Sequence, residues 1–215
     1  MHGDVAATRG DVAATVGSES VFVAEVDARE QALRKGVSAH ALPRSGTSEA
    51  RQLRRWITQV LVAERVVAAE AGALRVHDDN APSEADLLPD EVARLEIGSV
   101  AASTLSESVG RAVFKCVTAA VRISDGDVRD YHARNPFRFA RRLVVAGGWQ
   151  GESQRTSTGA DFDEVRPVVA AHLLAAARRR AYRRWLDARC AEVVVLGQAS
   201  LAGGDDHLGR RGGHV

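Results

Sequence analysis

The clearest periodic pattern in the chain runs from Glu49 to about Ala71, where apolar residues recur at every third or fourth position. These residues are Leu53, Trp56, Ile57, Val60, Leu61 and Val67. Such spacing places them on one face of an α-helix. Thr47 precedes the pattern and suits the N-cap position. The pattern therefore predicts a long amphipathic helix that Thr47 caps and Gly72 ends.

Weaker apolar stripes predict helices over residues 90–97, 106–120 and 125–134. A second long helix is predicted from about Phe162 to Arg189. Its apolar seam, at about 100° per residue, contains Ala170, Leu174, Ala177, Ala181 and Trp185. Helices are thus the main elements that the pattern predicts.

Two short runs, Val21–Val26 and Ala191–Leu196, are rich in β-branched residues and favour strands. Because each is too short to be stable alone, we expect them to pair with each other. Residues 1–19, which repeat Gly-Asp-Val-Ala-Ala-Thr, are interpreted as a flexible leader, and residues 197–215 as a disordered tail. The predicted fold is mainly α, with one core over residues 20–196 and a small two-stranded antiparallel sheet that joins the N- and C-terminal segments.

Composition limits the functions that fit this fold. Apolar residues make up 45% and charged residues 27% of the 215 residues, which is typical of soluble proteins. The net charge of +1 favours neither nucleic acid nor an acidic membrane as a partner. Cys116 and Cys190 form no disulfide framework, and the chain has neither an 18-residue apolar run nor a signal-peptide pattern over residues 1–20. We expect a reduced, cytoplasmic protein without a membrane partner.

Motifs for catalysis, metal ions and cofactors are weak. Residues 46–50 approach the Gly-x-Ser-x-Gly pattern of a nucleophile turn, but no buried strand precedes them, and a capped helix start explains them better. The His and Asp residues at 77–79 and 205–207 are adjacent in sequence and therefore poorly placed for chelation. No phosphate-binding loop of the Gly-x-x-x-x-Gly-Lys-Ser type is present. We expect no catalytic residue, no cofactor and no metal ion.

A basic face is predicted on the last long helix, where Arg179, Arg180, Arg183 and Arg184 share one side. Closely spaced guanidinium groups can contact phosphates, so weak nucleic-acid binding is one interpretation. The other is an ordinary solvated helix face, since arginine supplies all but two of the 29 basic residues in this chain.

Three stretches resemble parts of the SurA/trigger-factor-like chaperone core found in parvulin-type peptidyl-prolyl isomerase proteins of actinobacteria. Residues 46–56 resemble the start of its N-terminal helix. Residues 121–136, with Tyr131 and Asn135-Pro136, resemble the segment before a parvulin domain, and residues 162–167 resemble the exit from it. The resemblance implies a SurA-like helical core over residues 20–196 and ATP-independent binding of unfolded or nascent polypeptide.

The chain departs from that family where the isomerase domain is expected. Residues 137–160 are far fewer than a parvulin domain needs, and Arg142 stands where its first strand usually carries a histidine. We therefore expect isomerase activity to be lost. The apolar residues left in this loop, Phe137, Phe139 and Trp149, are candidate contacts for a client polypeptide, or they pack onto the helices.

Two other functions remain open at this point. One is a residual peptidyl-prolyl isomerase, and the other is a structural or regulatory helical protein that binds a folded partner.

Overall fold

The computed structural model describes residues 11–37, 39–136, 138–139 and 162–196, the last four by their backbone alone. The strands are β1 (Val12–Val16), β2 (Glu19–Phe22) and β3 (Val194–Leu196). The α-helices are α1 (Val23–Lys35), α2 (Ser48–Ala73), α3 (Glu84–Leu87), α4 (Glu91–Ile97), α5 (Ser99–Thr104), α6 (Ser108–Val117), α7 (Asp125–Arg134) and α8 (Phe162–Val193). A 3₁₀ turn at Ala39–Ala41 lies between α1 and α2. The predicted mainly α class is confirmed.

The small sheet joins the two ends of the described chain, as predicted, but it has three strands in the order β2-β1-β3. Thr15 of β1 pairs with Ser20 on one side and with Val195 on the other, both antiparallel. The two strands expected to pair with each other are therefore separated by β1. The interpretation of residues 1–19 as a leader is wrong for the part from Val12 onward, whereas residues 1–10 and 197–215 lie outside the described residues.

Sequence propensity alone does not reveal β1, because its Ala13 and Ala14 favour helices. In the fold these two residues are 2% and 0% exposed, respectively. Small side chains let β1 lie close to α2, with which it is in contact. The β1–β2 turn contains Gly17, whose φ of +59° suits the first position of a tight hairpin turn.

The strand predicted over Val21–Val26 ends at Phe22, and α1 begins at Val23. The Phe22 backbone N–H donates to Oε2 of Glu25 at 2.9 Å, which satisfies a free amide at the helix start. Residues of high helix propensity follow. The β-branched residues at 23 and 26 therefore belong to α1, where Val26 is buried in the core.

The predicted long helix is α2, the central element of the fold. Thr47 caps it as expected, since its Oγ1 accepts a hydrogen bond from the Ala50 backbone N–H at 3.2 Å. Helix α2 packs against α1, α5, α6 and α8 as well as β1. Its C-terminus differs from the prediction: Gly72 lies inside the helix, and Arg75 takes the left-handed conformation after it, with a φ of 51°.

Helix α8 connects two apolar clusters. Its buried positions are Val165, Val169, Ala176, Arg179, Tyr182 and Leu186. The predicted seam is wrong, because its residues are only half-buried and flank this stripe. Residues of α8 near Tyr182 belong to the main core with α2, α5 and α6, whereas Val165 and Val169 pack with Val128 of α7 in a second, smaller cluster. No helix among the described residues is long and apolar enough to cross a membrane.

Candidate functional site

An open groove of about 500 Å³ lies along α4 and α5. It is lined by Glu84, Glu91, Arg94, Leu95, Gly98, Ser99, Ala102, Ser103 and Ser106. We call this feature the α4–α5 groove. Its volume is within the range typical of small-ligand and peptide sites.

The bend between the two helices creates the groove. Gly98 ends α4 and caps α5, with a φ of +86° that side chains rarely adopt. A Cβ atom here would lie 3.6 Å from the guanidinium carbon of Arg183, so the bend lies against this side chain of α8. Ala102, with its short side chain, leaves the floor open.

Hydroxyl groups in the groove are already used within the protein. Ser103 Oγ donates to the Val100 carbonyl at 2.7 Å, and Ser106 Oγ donates to the Ser103 carbonyl at 2.8 Å. Ser99 Oγ accepts a hydrogen bond from Nε1 of Trp56 at 3.0 Å. Each of these three hydroxyl groups therefore already has a hydrogen-bond partner within the protein.

Two apolar side chains of α4 are exposed here: Leu95 lines the groove, whereas Val92 lies one turn earlier on the helix, outside the lining. Leu95 is 71% exposed and Val92, three residues earlier on α4, is 70% exposed. Residues at this spacing are neighbours on a helix surface. Ala93 and Ile97 of the same helix are buried, so α4 presents one apolar face to the core and a second to solvent.

Carboxylates surround the N-terminal end of α4. Glu84 accepts a hydrogen bond from Arg94 Nη2 at 2.7 Å, and Asp90 caps α4 by accepting from the Ala93 N–H at 2.8 Å. Glu91 is exposed and forms no ion pair within the described part of the chain. This end of the groove is acidic.

The prediction of an exposed basic face on α8 is wrong for Arg179. Arg179 is buried, with its side chain 7% exposed, and its Nη2 lies 2.8 Å from Oε2 of Glu96. Its Nη1 also donates to the Leu87 carbonyl at 3.3 Å. Arg179 therefore connects α8 to α4 and is not available to a phosphate.

The other three arginines do not restore a continuous basic surface. Arg180 donates to the second oxygen of Glu96 at 2.7 Å. Arg183 lies against Gly98 and has Asp187 at 3.8 Å. Arg184 is exposed and has no ion pair within the described residues. Acidic partners thus interrupt the face on which the nucleic-acid interpretation rested.

Of the three residues expected to contact a client, the structure describes Phe139. Its ring is half-buried, with centroids 6.2 Å from Tyr131 and 6.0 Å from His172, so it packs onto α7 and α8. Phe137 and Trp149 lie outside the described residues, as does the rest of the expected loop from 140 to 160. Their role as client contacts stays a prediction.

His172 is part of this small aromatic cluster. Burial, and secondarily the positive charges of Arg138 and Arg179, lowers the pKa of its imidazole. Its Nε2 lies 3.3 Å from the hydroxyl of Tyr131. His172 therefore joins α8 to α7 through its contacts with Tyr131 and Phe139.

Groups able to hold a metal ion were not found among the described residues, where no three His, Cys, Asp or Glu side chains converge. Cys190 is half-buried, and burial raises the pKa of its thiol, which disfavours the reactive thiolate.

Comparison with known proteins gives one partial match. The model of a family of unknown function (DUF7158) matches residues 12–49, which contain β1, β2, α1 and the beginning of α2. This is less than a fifth of the chain. No curated protein and no solved structure matches this chain. The matched segment contains the sheet strands nearest the N-terminus and leaves out the α4–α5 groove.

Proposed function

We propose that the protein binds unfolded or nascent polypeptide without ATP and holds short apolar segments of the client in the α4–α5 groove. The observation that carries this proposal is the exposure of Val92 and Leu95, each about 70%, beside a groove of about 500 Å³. Exposed apolar surface next to a concave site is typical of protein interaction sites.

The exposed apolar surface is small, which favours weak and reversible binding of a client polypeptide. Burial of apolar surface contributes about 25 cal/mol per Å². Full burial of a side chain such as Leu or Val therefore contributes about 1.5–3 kcal/mol. Two such contacts, set against the free-energy cost of association and of ordering the client, give weak affinity at most. A client held this weakly is released without an energy source.

The resemblance to SurA-like cores supports the same function. In those cores the N- and C-terminal segments complete one unit, and here β1 pairs with β3 at the end of α8. Under this proposal isomerase activity is lost, because residues 137–160 are too few for a parvulin domain and Arg142 replaces its first histidine.

The proposal is tested by aggregation of a chemically denatured enzyme, diluted into buffer without ATP and followed by light scattering. We expect suppression at near-stoichiometric protein, and we expect Val92→Ser and Leu95→Ser to weaken it. Because both side chains are already exposed, the helical signal and the melting temperature stay near those of the unmodified protein.

Val168→Ser is the matched control, since Val168 is 57% exposed but lies on α8, and it neither lines the groove nor neighbours Leu95 on α4 as Val92 does. It is expected to suppress aggregation as well as the unmodified protein. Aggregation at the control rate with excess protein contradicts the proposal and favours a role in binding a folded partner. Equal loss in all three variants contradicts the groove as the site.

A further inference from the structure

From the charges around the α4–α5 groove we infer that it selects apolar client segments in which a Lys or Arg lies two residues from the apolar side chain. This inference rests on the proposed function and names the class of client. It depends on the relation between Leu95 and Glu91, which both line the groove.

Glu91 and Leu95 lie four residues apart on α4 and are therefore neighbours on one helix face, about 5–6 Å apart at their Cβ atoms. Both are exposed. A client side chain that packs on Leu95 therefore brings its neighbouring residues within reach of a carboxylate that no cation neutralises in the described structure.

The charged residues around Glu91 also favour a cation at this position. Asp86 and Asp90 are also exposed, and each accepts a backbone hydrogen bond, from Ser83 and Ala93 respectively. Arg94 also lines the groove, but its guanidinium is bound to Glu84 at 2.7 Å. Glu96, farther along α4, is already bound to the two arginines of α8 and adds no free charge.

Two arginines outside the lining are already engaged within the protein. Arg183 lies against Gly98 and has Asp187 at 3.8 Å, and Arg111 donates to the Ser106 carbonyl at 2.7 Å. Among the described residues that line the groove, the charged side chain without an ion-pair partner is therefore that of Glu91. A client cation is favoured beside it.

The geometry of an extended peptide sets the spacing. Each residue of an extended chain advances about 3.3 Å and alternate side chains point to the same side, so residues i and i+2 lie about 6.6 Å apart on one face. That separation is within about 1–2 Å of the distance between the Cβ atoms of Leu95 and Glu91. A Leu-x-Arg or Leu-x-Lys segment can thus place both of its side chains at once.

The test uses three fluorescein-labelled peptides that differ at one position: Leu-Thr-Arg, Leu-Thr-Gln and Leu-Thr-Glu, each within the same Gly/Ser flanks. Binding is followed by fluorescence anisotropy with the full chain. An exposed ion pair changes affinity by a factor of about 2 to 5, so the Arg peptide is expected to bind that much more tightly than the Gln peptide. The Glu peptide is expected to bind most weakly.

Glu91→Gln is expected to abolish the difference between the Arg and Gln peptides. Asp130→Asn, which removes an exposed carboxylate of α7 outside the groove, is expected to preserve it. The difference should also shrink as salt is raised, because exposed charges are screened.

The remaining outcomes separate the two proposals. Equal binding of the Arg and Gln peptides, abolished by Leu95→Ser, overturns the charge selection while the proposed function stands. Binding of the Arg peptide that is unchanged by Leu95→Ser is nonspecific charge attraction and overturns the selection by spacing. If no peptide binds and aggregation is not suppressed, both proposals are wrong.

Discussion

Arg179 of α8 and Glu96 of α4 form a buried ion pair, in which Arg179 Nη2 lies 2.8 Å from Glu96 Oε2 and the arginine side chain is 7% exposed. The pair removes a charge from the predicted basic face and fixes α4 against the long helix. With α4 held in this way, Val92 and Leu95 lie exposed on it. The ion pair therefore helps to position the proposed client groove.

Removing the acid from this pair is expected to destabilise the protein strongly. Glu96→Gln leaves the Arg179 charge buried without its partner, a change that costs on the order of 3 kcal/mol. Urea unfolding followed by circular dichroism measures the loss. Arg180→Ala is the control, because Arg180 contacts the same carboxylate but is 54% exposed, and its loss is expected to stay under about 1 kcal/mol. Similar stability of both variants would show that the pair contributes little.

The hydroxyl groups of Tyr182 and Thr104 lie 2.8 Å apart inside the core, and Thr104 Oγ1 also donates to the Ala101 carbonyl at 2.8 Å. The tyrosine hydroxyl is therefore the donor between them. Tyr182→Phe leaves Thr104 with a partner and is expected to cost about 1 kcal/mol, whereas Thr104→Val leaves the tyrosine hydroxyl unpaired and costs up to about 3 kcal/mol. Chemical denaturation of the two variants tests this order; a larger loss in Tyr182→Phe than in Thr104→Val would contradict it.

Alkaline pH is expected to destabilise the protein through the same tyrosine. Burial raises the pKa of Tyr182 to about 12, while a tyrosine in the unfolded chain has a pKa near 10. Between these values the unfolded chain loses the proton and the folded protein keeps it. The contribution of the protonated Tyr182 to the free energy of unfolding is intact below pH 10. It falls by about 2 kcal/mol as the pH approaches 12. Unfolding free energies measured across this range should decline less steeply in Tyr182→Phe; identical slopes would contradict the raised pKa.

Loss of β3 is expected to weaken the whole fold. A chain that ends at Val193 removes the strand whose three residues pair with Ala14, Thr15 and Val16 of β1. We expect a loss of about 2 kcal/mol, since a strand hydrogen bond contributes roughly 0.5–1.5 kcal/mol net. The melting temperature should fall by several degrees. A chain that ends at Leu196 keeps β3 and serves as the control; equal melting of the two truncated chains would contradict a stabilising role for this strand.

The C-terminus of α2 offers a test with two substitutions. Arg75 has a φ of 51°, and its N–H donates to the Gly72 carbonyl while the Val76 N–H donates to the Ala71 carbonyl. This is the Schellman arrangement, in which glycine is preferred at the left-handed position. Arg75→Gly is therefore expected to stabilise the protein by about 0.5 kcal/mol.

Gly72→Ala is the companion variant. Gly72 lies inside the helix, and a Cβ atom there would meet nothing within 4 Å. Alanine is expected to stabilise it by about 0.5–1 kcal/mol. The melting temperature of Gly72→Ala tests this expectation. A lower melting temperature than that of the unmodified protein would indicate that the helix ends at Gly72.

The local elements with strong patterns follow from the sequence alone. The spacing of Ile57, Val60 and Val67 identifies α2, and Thr47 marks its start with the capping geometry that the fold contains. These features depend on contacts within a few residues, so nearby side chains suffice to specify them.

Three features depend on the tertiary structure and not on local sequence. They are the formation of the central strand β1, the burial of Arg179 and the α4–α5 groove. Ala13 and Ala14 form a strand because β2 and β3 pair on both sides of β1 and α2 packs against it, which local propensity does not reveal. Arg179 is buried because Glu96, 83 residues away in the chain, neutralises it. Sequence spacing identifies which side chains share a face, but the partners that cover or charge that face come from distant parts of the chain and depend on how the helices pack.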